Sequence, residues 1–157
     1  MNQLVKFIIS FAFVALTAGL TSYFSYQGID TFYSALTMPP LTPPNNVFSI
    51  VWPLLYVLMV ISYYMILNHE DHQRASLLFV GQLFLQILWA FLFFAKGYFL
   101  YGLICIILLA WTVFVMIKKF HTIEPLAAYL QYPYFIWLVF ATYLTAGVTY
   151  LNGMQLN

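Results

Sequence analysis

Residues 98–117 read YFLYGLICIILLAWTVFVMI, twenty positions without a charged side chain, held between Lys96 and Lys118. A helix rising 1.5 Å per residue covers about 30 Å in that length, which is the thickness of a bilayer's hydrocarbon core. Working outward, four more stretches of the same kind appear: Leu4 to Tyr26, Val47 to Asn68, Ser76 to Ala95 and Leu126 to Leu151. Together with Tyr98 to Ile117 they leave only termini and loops outside the membrane. The expected architecture is therefore an all-α integral membrane protein, a five-transmembrane-helix bundle forming a single transmembrane domain over 1–157. Lys6 followed by the apolar run Phe7 to Leu20 has the outline of a signal peptide, but the uncharged run continues through Tyr26 and reads as the first span.

Composition agrees. Of 157 residues, 64% are hydrophobic and 21% aromatic, and only 6% are charged, where a soluble domain carries about a quarter. Five Lys and Arg against four Asp and Glu give a net charge of +1, so no basic field for nucleic acid exists. The single cysteine, Cys105, excludes an internal disulfide framework. Three histidines, His69, His72 and His121, fall in the expected loops, and the stretch His69-Glu70-Asp71-His72 lacks the four-residue histidine spacing of a zinc protease. No metal site and no resident cofactor are expected. Phosphate-binding glycine loops, nucleophile elbows and intramembrane carboxylate pairs are absent too, which removes hydrolysis, phosphoryl transfer and carboxylate-driven proton pumping.

Alternation of the spans puts Lys6, Arg74, Lys118 and Lys119 on one side and Lys96 alone on the other, which predicts a cytoplasmic N-terminus. The connection Lys96-Gly97 is so short that the spans it joins must be adjacent and antiparallel. Between the first two spans, by contrast, about 20 residues from Gln27 to Asn46 carry Pro39, Pro40, Pro43 and Pro44. Four prolines in six positions fix φ and remove backbone donors, so this stretch should be extended and stiff, serving either as a lid or as a rigid surface spacer.

Polar groups within spans are costly unless bonded, so the few present carry information. Gln82, Gln86, Trp89 and Phe93 follow at intervals of four, three and four, which places them on one helical face. That face is either a pocket wall or a seam of interhelical hydrogen bonds. Trp52 and Tyr56 lie one turn apart after the proline loop, where an aromatic interface belt would also put them. Pro133 should kink the fifth span or loosen its hydrogen bonding about a turn earlier, and beyond it Trp137, Ala141 and Leu144 share a face and form either a packing notch or a pocket floor. Ala15 with Gly19, and Ala18 with Ser22, have the spacing that lets helices approach closely.

In order along the chain, Pro39-Pro40-Leu41-Thr42-Pro43-Pro44, Phe48, Trp52, Leu55-Tyr56, Gln82, Gln86, Trp89, Phe93-Phe94, Pro133-Tyr134, Trp137, Phe140-Ala141, Leu144 and Leu151-Asn152 form a pattern. It resembles the tryptophan-rich sensory protein family, the family of the translocator protein or peripheral-type benzodiazepine receptor. The resemblance implies a bacterial cell-membrane protein, commonly a homodimer, that binds tetrapyrroles such as protoporphyrin IX and haem, together with flat apolar drugs, beneath the first loop. Carried over by motif position, it places Tyr33 and Pro43 in the lid and Trp52 at the pocket entrance. Gln86, Trp89 and Phe93 would form one wall and Trp137, Ala141 and Leu144 the opposite one, with Cys105 also lining the site.

For some bacterial members it further implies light- and oxygen-dependent porphyrin breakdown, with Trp52 and Trp137 as the photochemical partners. A tetrapyrrole transporter or channel is the alternative, against which stand the missing intramembrane charge and inverted repeat. The chain departs from the family pattern at Met38, usually basic, at Leu41, usually Trp, and at Gln86 and Thr145, usually Asn. No Lys or Arg follows Tyr150, so a proposed sterol motif is incomplete.

Overall fold

The computed structural model describes residues 1–31 and 33–153, with Asp30, Thr31 and Ser34 as backbone only. Five helical segments are long and apolar enough to cross a membrane: Gln3–Ile29, Asn45–Leu67, Gln73–Ala95, Phe99–Ile123 and Pro125–Leu151. They comprise α1 (Gln3–Thr31), α2 (Asn45–Leu67), α3 (Gln73–Ala90), α4 (Phe99–Ile123), the short α5 (Pro125–Tyr129) and α6 (Tyr132–Leu151). The protein is thus an all-helical, multi-pass membrane bundle.

Each helix accommodates its polar residues locally. Asn2 Oδ1 accepts the Val5 N–H at 2.9 Å and so caps α1. Along α1, the hydroxyls of Ser10, Thr17, Thr21 and Ser25 each donate to the carbonyl four residues earlier, a self-contained solution where lipid offers no partner. Outward faces are apolar, with Phe11, Leu54, Leu77, Phe84, Trp111 and Ile136 all exposed, as suits a lipid solvent. Inside, α4 packs between α3 and α6, and α1 lies against α2 and the end of α3. The half of the bundle nearer the N-terminus is filled by Met59, Ile66, Phe79, Val113, Met116 and Phe120. There Tyr63 stacks on Phe79 with centroids 4.1 Å apart.

Helix ends differ from the expected boundaries for physical reasons. α4 continues past Ile117 to Ile123, because Lys118 bends back over the Phe114 ring (5.3 Å) and needs no loop to reach water. His121 accordingly sits on a helix, within hydrogen-bond distance of the Tyr132 hydroxyl at 2.5 Å, and His69 pairs with Glu124 at 3.3 Å. The fifth span is broken rather than kinked. Pro133 occupies the first turn of α6, where its missing N–H is no loss, and the chain turns at Leu130 and Gln131.

α3 ends in a π turn, Phe91–Ala95, closed by the Lys96 N–H to the Phe91 carbonyl at 3.1 Å. Gly97, at φ 68°, then reverses the chain into α4.

Candidate ligand cavity

At the end of the bundle away from the N-terminus lies a cavity of about 370 Å³, within the lower range for drug-sized ligands. Four spans wall it. α1 contributes Thr21, Ser22, Ser25 and Ile29, and α2 contributes Asn45, Phe48, Ser49, Trp52, Pro53 and Tyr56. α3 and its π turn contribute Gln86, Trp89, Ala90 and Phe94; α6 contributes Trp137 and Ala141; Tyr33 is the described lining residue of the connecting loop. The rings form one continuous surface. Trp52 stands edge-on to Trp137, with centroids 6.4 Å apart and planes at 90°, and it stacks on Tyr56 at 5.7 Å. Phe48 closes on Trp137 at 5.6 Å, while Trp89 and Tyr33 both meet Phe94, at 5.8 and 5.6 Å. Pro53, inside α2, cannot donate to the carbonyl of Ser49, which loosens that helix where it borders the cavity.

Beneath the rings runs a chain of hydrogen bonds joining four spans. Tyr134 Oη donates to Gln82 Oε1 at 2.7 Å, with Gln86 Oε1 at 3.2 Å. Gln86 Nε2 donates to Tyr56 Oη at 2.7 Å. Thr21 Oγ1 sends its own proton to the Thr17 carbonyl, so the 2.9 Å contact between the two hydroxyls is a donation from Tyr56. The walls also bury two N–H groups, Trp89 Nε1 and Trp137 Nε1, with no partner among the described residues. Burial raises the phenol of Tyr33, in the loop, above its ordinary range, leaving it a neutral hydroxyl.

The loop between α1 and α2 is fixed to α6. Asn152 bonds both backbone groups of Thr37, accepting its N–H and donating to its carbonyl, each at 2.8 Å. Tyr143 Oη donates to the Pro40 carbonyl at 2.6 Å, and Pro39 lies so close to Gly147 that a Cβ there would fall 2.5 Å from its ring. Leu41 turns the chain at φ 68°, braced by a Thr42 hydroxyl bond to the Pro39 carbonyl at 2.7 Å.

A proline loop clamped over an aromatic cavity within five spans is matched along residues 8–151 by the model of the TspO/MBR family. The chain belongs to the TspO/MBR family. Among TspO/MBR relatives, the tryptophan-rich protein TspO of Archaeoglobus fulgidus is 32% identical over 153 residues, covering 96% of this chain and 99% of that protein. The translocator protein of Bos taurus is 32% identical over 114 residues, 69% of this chain and 68% of that one. The tryptophan-rich sensory protein of Cereibacter sphaeroides is 28% identical over 123 residues, covering 78% of each.

Of the TspO/MBR site residues expected from sequence, Tyr33, Trp52, Gln86, Trp89, Trp137 and Ala141 meet at the cavity. Four others lie outside its lining. Phe93 turns towards α4, stacking with Trp89 at 6.0 Å and closing on Phe99 at 5.3 Å, because the π turn rotates Phe94 into the cavity in its place. Cys105 is buried, with its thiol on the Leu85 carbonyl at 3.4 Å. Leu144 is buried in the α6 packing face, and Pro43 stands in the loop outside the lining. The α1 wall was missed, since its serines and threonines carried no ring or amide to single them out. Phe48, beside Trp52 in the motif, was the available signal for the α2 wall.

Proposed function

We propose that this protein is a membrane receptor or sensor that binds tetrapyrroles such as protoporphyrin IX and haem, and other flat apolar molecules, in the cavity beneath the loop between α1 and α2. One observation carries the reading: three of the four tryptophans line the cavity with Phe48, Tyr56 and Phe94, a stacking surface bordered by few polar groups. The name of one relative, tryptophan-rich sensory protein, supports a role in sensing. We place the protein in a bacterial cell membrane with a cytoplasmic N-terminus, and as a homodimer; the open space beside Gly19 on α1 supports close approach of a second copy.

Titration of purified protein with protoporphyrin IX in the dark is the test. Three tryptophans at the site make saturable quenching of their fluorescence the expected result, and its absence overturns the reading. A second activity is supported by the Trp52–Trp137 contact at 6.4 Å, which puts two oxidisable rings beside any bound pigment. In that reading light excites the porphyrin, dissolved oxygen is the oxidant, and the protein positions and shields. Illumination of the saturated complex should give a product spectrum that the Trp52→Phe, Trp137→Phe double variant does not; identical spectra from both proteins would dismiss the idea.

A further inference from the structure

Gln131, between α5 and α6, is fully buried, yet neither its Oε1 nor its Nε2 has a hydrogen-bond partner among the described residues, and residues 35–153 are described without a gap. A buried amide with both ends open has lost its hydration and regained nothing, so the pair of atoms needs an occupant. Gln82 is a lesser case, because its Oε1 accepts from Tyr134 and only its Nε2 is open. Gln131 is not among the lining residues of the ligand cavity.

Its place is the break in the fifth span. The Leu130 N–H still bonds the Leu126 carbonyl at 3.1 Å, as in a helix, but the Gln131 N–H turns to the Ala128 carbonyl at 3.0 Å and gives up that of Ala127. Ser62 Oγ, fully buried on α2, replaces it and donates to the Ala127 carbonyl at 2.7 Å. Four residues on from Tyr129 stands Pro133, which has no N–H to offer the Tyr129 carbonyl. Backbone freed by a break in a membrane helix is served by neighbouring helices, by Ser or Thr side chains or by ordered water. The first two are in use at Ala127. Gln131 keeps near-helical dihedrals, φ −92° and ψ −10°, and follows Ala127 by one turn, so the two buried residues share the inner face that Ser62 meets. The Ser62 hydroxyl, having donated its proton, retains its lone pairs as acceptors.

The two open atoms select the occupant. Oε1 requires a donor and Nε2 an acceptor. A metal cation would take the oxygen and be repelled by the N–H, an anion would do the reverse, and a lipid chain serves neither. Water does both at once, across the edge where an amide carries its oxygen beside an N–H. We propose that ordered water is bound inside the bundle at the α5–α6 break, held by the Gln131 amide with Ser62 Oγ as a further partner. A buried water makes about three hydrogen bonds, and these three atoms are of the right kinds to make them. The water joins α2 to the start of α6 where direct bonds between the two run out.

The test uses the full chain, deuterated on carbon and carrying nitrogen-15 in its glutamine side chains, in phosphatidylcholine nanodiscs. Cross-relaxation between water and the amide protons is recorded by nuclear magnetic resonance, and Gln131→Leu identifies the Gln131 signal by its loss. Gln131→Met makes the same assignment if the leucine variant does not fold. The Gln131 Nε2 protons should show a cross-peak to water of the sign that marks a resident molecule rather than proton exchange. A Gln131 amide without that cross-peak overturns the proposal. Melting is an independent check: removing a satisfied amide should not stabilise the protein, whereas removing an orphaned one should. Gln131→Leu is therefore expected to melt no higher than the unaltered chain, and a rise of about 4 °C or more would mean that nothing serves the amide and the proposal is wrong.

Discussion

The hydroxyl of Tyr134 serves two amides, Gln82 Oε1 at 2.7 Å and Gln86 Oε1 at 3.2 Å, all fully buried. Tyr134→Phe removes the donor and strands two buried carbonyls, at about 1–3 kcal/mol for each group left unsatisfied. Gln82→Leu is a gentler change. Its Nε2 already has no partner among the described residues, and the Tyr134 proton can pass to Gln86, so the loss should be nearer the ~0.6 kcal/mol typical of a membrane hydrogen bond. Thermal unfolding in one detergent should therefore rank Tyr134→Phe clearly below Gln82→Leu, and equal losses would mean that the hydroxyl carries no special weight. The amides at Gln82 and Gln86 were legible in sequence, because a glutamine within an apolar run is costly enough to need a reason. Their partners were not. Tyr56 and Tyr134 pass for interface aromatics in a chain with thirteen tyrosines, and only the packing of α2 and α6 against α3 shows their hydroxyls turned inward.

Gly28 shows why the end of α1 and the π turn of α3 must be considered together. A Cβ at Gly28 would lie 2.5 Å from the Phe94 carbonyl oxygen and 2.9 Å from its Cα, so it would collide with backbone that no rotamer change can move. Gly28→Ala is expected to force the two elements apart and to cost about 1–3 kcal/mol, as overpacking of a tight contact does. Since Phe94 lines the cavity, ligand affinity should fall with stability. Gly81→Ala is the matched control: nothing lies within 4 Å of its would-be Cβ, and a melting temperature lowered equally by both changes would show that the close approach is not what matters. All five spans were readable from runs of uncharged residues, because lipid demands about 20 apolar positions and this chain supplies them five times. Periodicity fails at the irregular points. It assumes 3.6 residues per turn, so it carried Gln86 and Trp89 onward to Phe93, whereas a π turn holds more residues per turn and delivers Phe94. The break at Leu130–Gln131 was signalled by Pro133, but a proline announces a disruption without saying whether the helix bends or restarts.

At the scale of the whole molecule, one loop is anchored to the last helix while the ligand surface belongs to four spans. The proline stretch offered two readings, a lid or a rigid spacer, and the two differ in kinetics rather than in shape. Asn152 holds both backbone groups of Thr37, and Pro39 rests on Gly147, so the loop is restrained from α6 while its Tyr33 borders the cavity through Phe94. If the loop must lift for a ligand to pass, loosening that clamp lowers the barrier to entry and to exit alike. Asn152→Ala deletes two hydrogen bonds at a partly wet site, worth about 1 kcal/mol together, which corresponds to roughly a fivefold change in a rate. Both association and dissociation of protoporphyrin IX, followed by stopped-flow tryptophan quenching, should quicken by about that factor, and the equilibrium affinity should move much less. A spacer predicts neither rate change. Dissociation that quickens alone, with affinity falling in proportion, would instead mean that the clamp stabilises the bound complex directly, and the lid reading would then be abandoned in favour of a loop that forms part of the binding surface.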